Sequence, residues 1–496
     1  MKNLNKIIKR WTGRILWKFI ENKEKQIVVY KTIIRGGMYK MKLNDVYIVD
    51  CKHSEYYSEI FNPSDLYPEG IDMNIKSDKV IYNNFRNLLH EMKLDNKNFG
   101  TKNWNPFSDF IKEGNKVVIK PNLVTHVNGI VENGTDCLIT NFSILRPIID
   151  YTLLALNKSG NIILGDAPVQ ECIFSEVIKL YGLEDAINKY NSKGYNIQLK
   201  DFRKNENPMT ECTEVNIGKE SSLKEVDKYY KKYAITNYDL RKMHSHHHDG
   251  NHVYLIAKDV LDADVIINVP KPKAHRKAGM TACMKNLIGV NAKKEYLPHH
   301  RNGSIAFNGD EYPEKSLIKY FRSLAKNYTY TKSKILIFIY RCLGYALKVF
   351  KLNRFQEGSW YGNDTIWRTI LDINRIVLYS TKNGVLMNTK QRTIFNVADM
   401  IICGEKEGPL MPSPKDVGYL VASFNQLNMD NVISDIMGFE AEKIKYIKNG
   451  YNFKKMNLSD TNTFEVYKDG KRVLSNTLNK HFIPTDGWKD YLNSAK

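Results

Sequence analysis

Ala263-Asp264-Val265-Ile266-Ile267-Asn268-Val269-Pro270-Lys271-Pro272-Lys273-Ala274-His275 is the stretch that decides how this chain folds. Val265, Ile266, Ile267 and Val269 make a short, nearly unbroken apolar run. Such a run suits a strand covered on both faces, as in a parallel sheet. Proline has no N–H to give a ladder, so Pro270 and Pro272 end the strand in a polar turn. Three further runs share the design. Lys116-Val117-Val118-Ile119-Lys120 leads into Pro121-Asn122, and Asn161-Ile162-Ile163-Leu164-Gly165 into Asp166-Ala167-Pro168. Met400-Ile401-Ile402 leads into Gly404-Glu405 and Gly408-Pro409. Helical patterns alternate with these strands. One runs from Ile144 to Leu156 and is stopped by Ser159-Gly160, a second is marked by Ile366, Ile370, Leu371 and Ile373, and a third is expected to open with Val417, Leu420, Val421 and Phe424. The fold class expected is α/β, two lobes with mainly parallel sheets.

In open α/β sheets the carboxyl ends of the strands line the ligand crevice, so the four turns are expected to converge. Lys271, Lys273 and His275 alternate, and an extended chain sends alternate side chains to one side. Two ammonium groups beside an imidazole suit a carboxylate or phosphate and lower each other's proton affinity. Downstream, Gly279-Met280-Thr281-Ala282-Cys283-Met284-Lys285-Asn286-Leu287-Ile288-Gly289 can begin as a glycine loop and become a helix. Its amides and Thr281 would cradle an anion, with Lys285 reaching it one turn later. Lys120 and Asn122, at the end of the first run, join the anion-binding candidates. The candidate acids and bases are His275, His300 and Asp166. His275 and His299 are candidate metal ligands. The plainer reading of these turns is strand termination followed by a solvated basic loop.

Composition bounds the partners. The 496 residues carry a formal charge of +20 and are 42% apolar, enough for one large core or two ordinary ones. An excess of lysine and arginine draws anions of several kinds. The basic residues are scattered and form no binding module, which disfavours nucleic acid. Seven cysteines, with no C-x-x-C pair, indicate a reducing, cytoplasmic setting and no iron-sulfur motif of the chain's own.

Outside the core pattern, Ile7, Trp11, Ile15, Phe19 and their basic neighbours form an amphipathic helix over 1–25, fit to lie on an anionic membrane surface or on the protein itself. The α/β core is expected over 40–315, with a polar insertion near 188–252, and resumes over 361–445. Residues 446–496 read as an extension. Between the core segments, 316–360 is a basic and apolar helical insertion in which Arg341 argues against a bilayer span. The cluster His244-Ser245-His246-His247-His248-Asp249-Gly250-Asn251-His252 can bind a divalent metal, although histidine-rich loops also do so adventitiously.

Val118 to Val124, Leu164-Gly165-Asp166, Ala263 to His275, Gly279, Thr281, Lys285 to Val290, Leu297-Pro298-His299-His300, Trp367 to Asn374, and Gly404 with Gly408-Pro409 together resemble the bacterial and archaeal family known as domain of unknown function 362. The resemblance spans most of residues 40–445. Many relatives carry a ferredoxin-like cysteine module that this chain lacks, which implies a separate redox partner for any electron transfer. Asp264, Pro272, His275, Ala278-Gly279 and Lys285 are also distantly similar to the nickel-dependent lactate racemases. That likeness implies a nickel pincer nucleotide, His275 as proton-transfer residue or ligand, and Lys285 as cofactor or substrate anchor. The racemases place a Gly-Thr-His turn where this chain has Gly165-Asp166-Ala167-Pro168.

The reading that results is an enzyme acting on a small anionic substrate by proton or hydride transfer, with Lys271, Lys273 and Lys285 holding negative charge. The alternative is a non-catalytic, membrane-peripheral protein that binds anions or serves assembly.

Overall fold

The computed structural model describes residues 43–51, 56–129, 134–205, 207–236, 238–327, 331, 333–352 and 355–492. The amphipathic helix expected over 1–25 lies outside them. An eleven-stranded, mostly parallel sheet organises the described residues. Its strands are β1 (Val46–Asp50), β2 (Lys116–Pro121), β3 (Asn161–Asp166), β4 (Ile197–Asp201), β5 (Val265–Val269), β6 (Lys273–His275), β7 (Gly279–Thr281), β8 (Thr393–Glu405), β9 (Ser413–Ser423), β10 (Val466–Lys468) and β11 (Lys471–Arg472). They run in the order β11-β10-β1-β9-β8-β5-β2-β3-β4, with β6 joined to the end of β8 and β7 hairpinned onto β6. The four apolar runs of the sequence become β2, β3, β5 and part of β8, adjacent and parallel. The halves expected as two lobes share this one sheet, because β5 pairs in register with β2 on one side and β8 on the other.

The α-helices of eleven residues or more among the described residues are α1 (Lys79–Glu91), α2 (Phe142–Leu156), α3 (Leu317–Asn327), α4 (Lys334–Val349), α5 (Ile366–Tyr379) and α6 (Gln426–Met437). On one face of the sheet Val118, Ile163 and Ile266 pack with Ile370 and Ile373 of α5 and Val432 and Ile433 of α6. On the other face Phe395 of β8 meets Phe107 edge-on at 5.6 Å, and Phe107 in turn meets Tyr151 of α2 and Phe85 of α1. Burying each such side chain contributes about 1.5–3 kcal/mol, so a two-sided sheet is strongly favoured. Asn141 caps α2, accepting from the Ser143 N–H, and the helix stops at Asn157, two residues before Ser159-Gly160.

The helix expected to open with Val417 is instead β9. Tyr419 and Val421 face one side and Leu420 and Ala422 the other, and the strand pairs antiparallel with β8 through Val397↔Ala422 and Asp399↔Leu420. Cross-strand burial on both faces overrides the helical spacing. The helix begins only at Gln426, after Asn425 caps the amides of Leu427 and Asn428.

Residues 188–252 supply β4 to the main sheet and a small core of their own, built on Leu223, Tyr233 and Met243. The C-terminal stretch supplies β10 and β11, and Trp488 packs against Gly279, where an added Cβ would lie 3.1 Å from the indole. The histidine cluster is part of the packing. His247 is buried, reaches the Tyr296 carbonyl through Nε2 at 2.9 Å and lies 3.4 Å from His252 Nδ1. Burial, with His252 alongside, pushes His247 down to about 3. None of these histidines lines the cavity described below. No described helix is long and apolar enough to cross a membrane.

Candidate functional site

The polar turns at the ends of β2, β3, β5 and β8 converge on one cavity of about 290 Å³. Lys120 and Asn122 come from the first turn, Asp166, Ala167 and Pro168 from the second, Lys273 and His275 from the third, and Pro409 and Leu410 from the fourth. Thr281, Lys285 and Asn286 close one side, and Lys294, Leu297 and His299 another.

Asp166 is fully engaged. Its Oδ1 lies 2.8 Å from Lys120 Nζ and accepts from the Ala167 N–H at 2.8 Å, while Oδ2 accepts from the Leu123 N–H at 2.8 Å. Lys120 also donates to the Pro121 carbonyl and to Asn286 Oδ1 at 3.0 Å. Asn286 receives the Asn122 amide as well, and Asn122 Oδ1 accepts from Lys273 Nζ at 2.8 Å. Lysines and amides therefore share a buried network across three strand ends. The expected catalytic role for Asp166 finds no contact with His275 among the described residues. Its charge is spent on Lys120 and two amides, which makes it an organiser of the floor.

The two histidines at the cavity have opposite tautomers. His275 Nδ1 accepts the N–H groups of Lys277 at 3.0 Å and Ala278 at 3.1 Å. An acceptor nitrogen carries no proton, so the neutral ring keeps its hydrogen on Nε2. His299 Nδ1 lies 2.7 Å from the Leu297 carbonyl, which can only accept, so its Nδ1 is protonated and Nε2 keeps its lone pair. Burial, then the charges of Lys285 and Arg276, hold His275 well below the ordinary imidazole value. Burial and the charges of Lys277 and Lys285 do the same to His299. One neutral ring thus offers an N–H and the other a lone pair.

The cationic groups divide into engaged and open. Lys273 is bonded to Asn122 and the Leu138 carbonyl, and Lys294 donates to the Ala167 carbonyl at 2.8 Å. Among the described residues Lys277, Lys285 and Arg276 have no side-chain hydrogen bond or ion pair. Burial is the main cause that brings Lys273, Lys277 and Lys285 down to about 7, with neighbouring lysines and arginine adding to it. Glu357, on the opposite wall, accepts from Thr236 Oγ1 at 2.9 Å. Burial opposes its charge, but Lys326, Lys277 and Arg276 outweigh that and hold it at about 2. Thr281 Oγ1 is buried at the cavity with no hydrogen-bond partner among the described residues.

Three expectations are corrected by this geometry. Lys271 points away from the cavity, 2.8 Å from Asp399 Oδ2 and 2.6 Å from the Tyr56 hydroxyl, because the Pro270-Pro272 turn breaks the extended alternation before β6 begins. His300 also lies outside. It sits on a short strand paired with Tyr233–Ala234, fully buried, and neither ring nitrogen has a hydrogen-bond partner among the described residues. The amides after Thr281 do not cradle an anion, since Cys283 N–H and Met284 N–H are taken by the Asp430 carboxylate at 2.6 and 3.0 Å.

Residues 222–435 match the family described as domain of unknown function, DUF362. The match agrees with the resemblance read from the sequence, and it holds His275, Lys277, Lys285 and His299, while Lys120, Asn122 and Asp166 precede it. No match was found among curated proteins. Among solved structures, the lactate racemase apoprotein from Thermoanaerobacterium thermosaccharolyticum is similar at 13% identity and a TM-score of 0.30, over 70% of this chain and 55% of that one. A protein from Thermotoga maritima is similar at 10% identity and a TM-score of 0.29, over 64% and 52%. This chain thus spans about half the length of the solved structures it matches. Likeness at this level bears on neither reaction nor ligand.

The nickel pincer nucleotide and divalent metal expected from the sequence can be weighed against these side chains. Lys285, open at the cavity, fits an anchor. His275 does not fit a ligand, because its Nε2 carries the proton; His299 Nε2 has the free lone pair. Among the described residues no three His, Cys, Asp or Glu side chains stand together to hold a metal ion. The DUF362 segment also contains what sequence reasoning missed: Lys277, Arg276 and Lys294 as lining cations and Glu357 as their counter-charge. Lys277 and Arg276 directly follow His275, which was the available signal; Glu357 comes from far along the chain and gave none.

Proposed function

We propose that the chain is an enzyme that moves a proton on a small anionic substrate, one bearing a carboxylate or phosphate next to the reacting carbon or oxygen. Lys277, Lys285 and Arg276 bind the anionic group, His299 Nε2 takes the proton from carbon and returns it, and the His275 Nε2–H hydrogen-bonds the atom on which negative charge develops. The observation that carries this reading is the pair of neutral imidazoles with opposite tautomers on one cavity that also holds three open cations. Proton transfer at carbon calls for a base with a free lone pair and a hydrogen-bond donor for the charge that develops, and the two rings supply one each. The reaction class that this arrangement fits is isomerisation or epimerisation.

The test is solvent exchange. The protein is incubated in D2O with a panel of small hydroxy, oxo and phosphorylated acids, and deuterium uptake at carbon is read by mass spectrometry. His299→Gln and His275→Gln should each slow uptake by about 10²–10⁴-fold, the usual worth of a positioned acid or base. Uptake that both substitutions leave unchanged would remove these histidines from the chemistry.

A further inference from the structure

Helix α3 is built inside out. Its inward face is polar: Lys319, Ser323 and Lys326 are 3%, 4% and 3% exposed. Lys319 bonds to Glu314 and the Phe355 carbonyl, Ser323 to Glu311, and Lys326 pairs with Glu357 at 3.5 Å. Its outward face is apolar, with Leu317, Tyr320, Phe321 and Leu324 turned to solvent at helical spacing. A soluble helix shows the reverse. The second helix of the hairpin continues the surface. On α4, Ile335, Phe338, Ile339, Tyr345 and Val349 form an exposed stripe in which Ile335 and Tyr345 are each 72% exposed, and Leu347 alone of the helix's apolar residues is buried.

Charge says what covers this face. Every charged residue between Glu314 and Glu357 is a lysine or an arginine. Lys334, Arg341 and Lys348, seven residues apart, form an exposed ridge one position from the apolar stripe. A row of cations flanking exposed aromatic and branched side chains suits the interface of an anionic bilayer, where the apolar face enters the headgroup boundary and the lysines meet phosphate. Neither helix is long enough and apolar enough to span. A self-associating surface would instead set this all-positive ridge against its own copy.

We propose that the α3–α4 hairpin docks the protein on the surface of an anionic lipid bilayer. The inward ion pairs anchor the hairpin to the body, and through Lys326 and Glu357 they join it to a wall of the cavity. The proposal is independent of the reaction proposed above.

The full-length protein is sedimented with vesicles of phosphatidylcholine alone or with 30% phosphatidylglycerol, a fraction of about one in three that gives a strong surface potential. Binding is expected to the anionic vesicles and to weaken with salt. Lys334→Gln, Arg341→Gln and Lys348→Gln together should weaken it about a hundredfold, each cation near such a surface being worth roughly fivefold. Ile335→Glu with Phe338→Glu, both at exposed positions, should abolish it without moving the thermal midpoint. Cys342, the exposed cysteine, carries an environment-sensitive dye, whose emission should shift blue on binding. Failure to sediment with anionic vesicles overturns the proposal. So does binding that both sets of variants leave unchanged, which would place the contact elsewhere in the chain, and so does a dimer that the glutamate variant dissociates in the absence of vesicle binding.

Discussion

Gly289→Ala tests the floor of the cavity most directly. A methyl built at this position would stand 2.1 Å from Asp166 Oδ1 and 2.8 Å from Lys120 Nζ, whereas an unstrained heavy-atom contact needs roughly 3.5 Å. The backbone cannot easily retreat, because the Gly289 carbonyl accepts the Ala167 N–H at 2.8 Å. The carboxylate must therefore turn, giving up Lys120 and the amides of Leu123 and Ala167. Lys120 is 1% exposed, so it would be left as a buried cation without its counter-ion. Breaking a buried pair in this way costs about 3–5 kcal/mol. The lower end applies here, since the Pro121 carbonyl and Asn286 Oδ1 still solvate the ammonium. The assay is urea unfolding followed by tryptophan fluorescence. A companion cycle with Asp166→Ala should be strongly non-additive, because once the carboxylate is gone the methyl displaces little. A Gly289→Ala protein within about 1 kcal/mol of wild type, or costs that simply add, would refute the account; surface substitutions commonly stay below half that size.

Lys273, Lys277 and Lys285 sit at about 7 in the folded chain against 10.5 when unfolded. Between these values the unfolded state holds protons that the folded state has released, so stability should rise with pH, by up to about 1.4 kcal/mol per unit for each lysine. Urea midpoints at pH 7 and pH 9 measure this, and the rise should be smaller in Lys285→Met; an identical rise would count against it. Inorganic phosphate should bind more tightly at pH 6 than at pH 9, where the open amines are neutral, and calorimetry on wild type and Lys277→Met reads the difference. Lys271→Met, by contrast, strands Asp399 in the core and should destabilise by about 3–5 kcal/mol while leaving phosphate affinity unchanged.

Much of the fold was legible because it rests on period and punctuation. Short apolar runs ending in proline or glycine can scarcely be anything but buried strands, and β2, β3, β5 and β8 follow from them. Their convergence also follows, since parallel neighbours bring their carboxyl ends to one edge. What was not legible depends on side chains remote in sequence. Val417 to Phe424 carries a spacing that suits either helix or strand, and only β8 alongside decides. Lys271 and Lys273 look equivalent until Asp399 and Tyr56 claim the first. His299 and His300 are neighbours in an extended segment, so one must face the cavity and the other the interior; the sequence could supply the pair but not the choice.

That choice matters because, on the proposed function, the cavity's charge and its acid-base chemistry form one system. Lys277 and Lys285 are among the charges that keep both imidazoles neutral. An anion seated between these amines offsets their field, and each imidazole then holds a proton more readily. On the proposed function, His299 becomes the stronger base only once a substrate's own charge has arrived, and before that it stays an indifferent one. The proton affinity of His299, followed by the chemical shift of its ring carbons, should therefore rise when phosphate is added and should rise less in Lys277→Met. A ring whose titration ignores phosphate would mean that cations and imidazoles act separately, and the cavity would then be an anion site with two packed histidines in its wall.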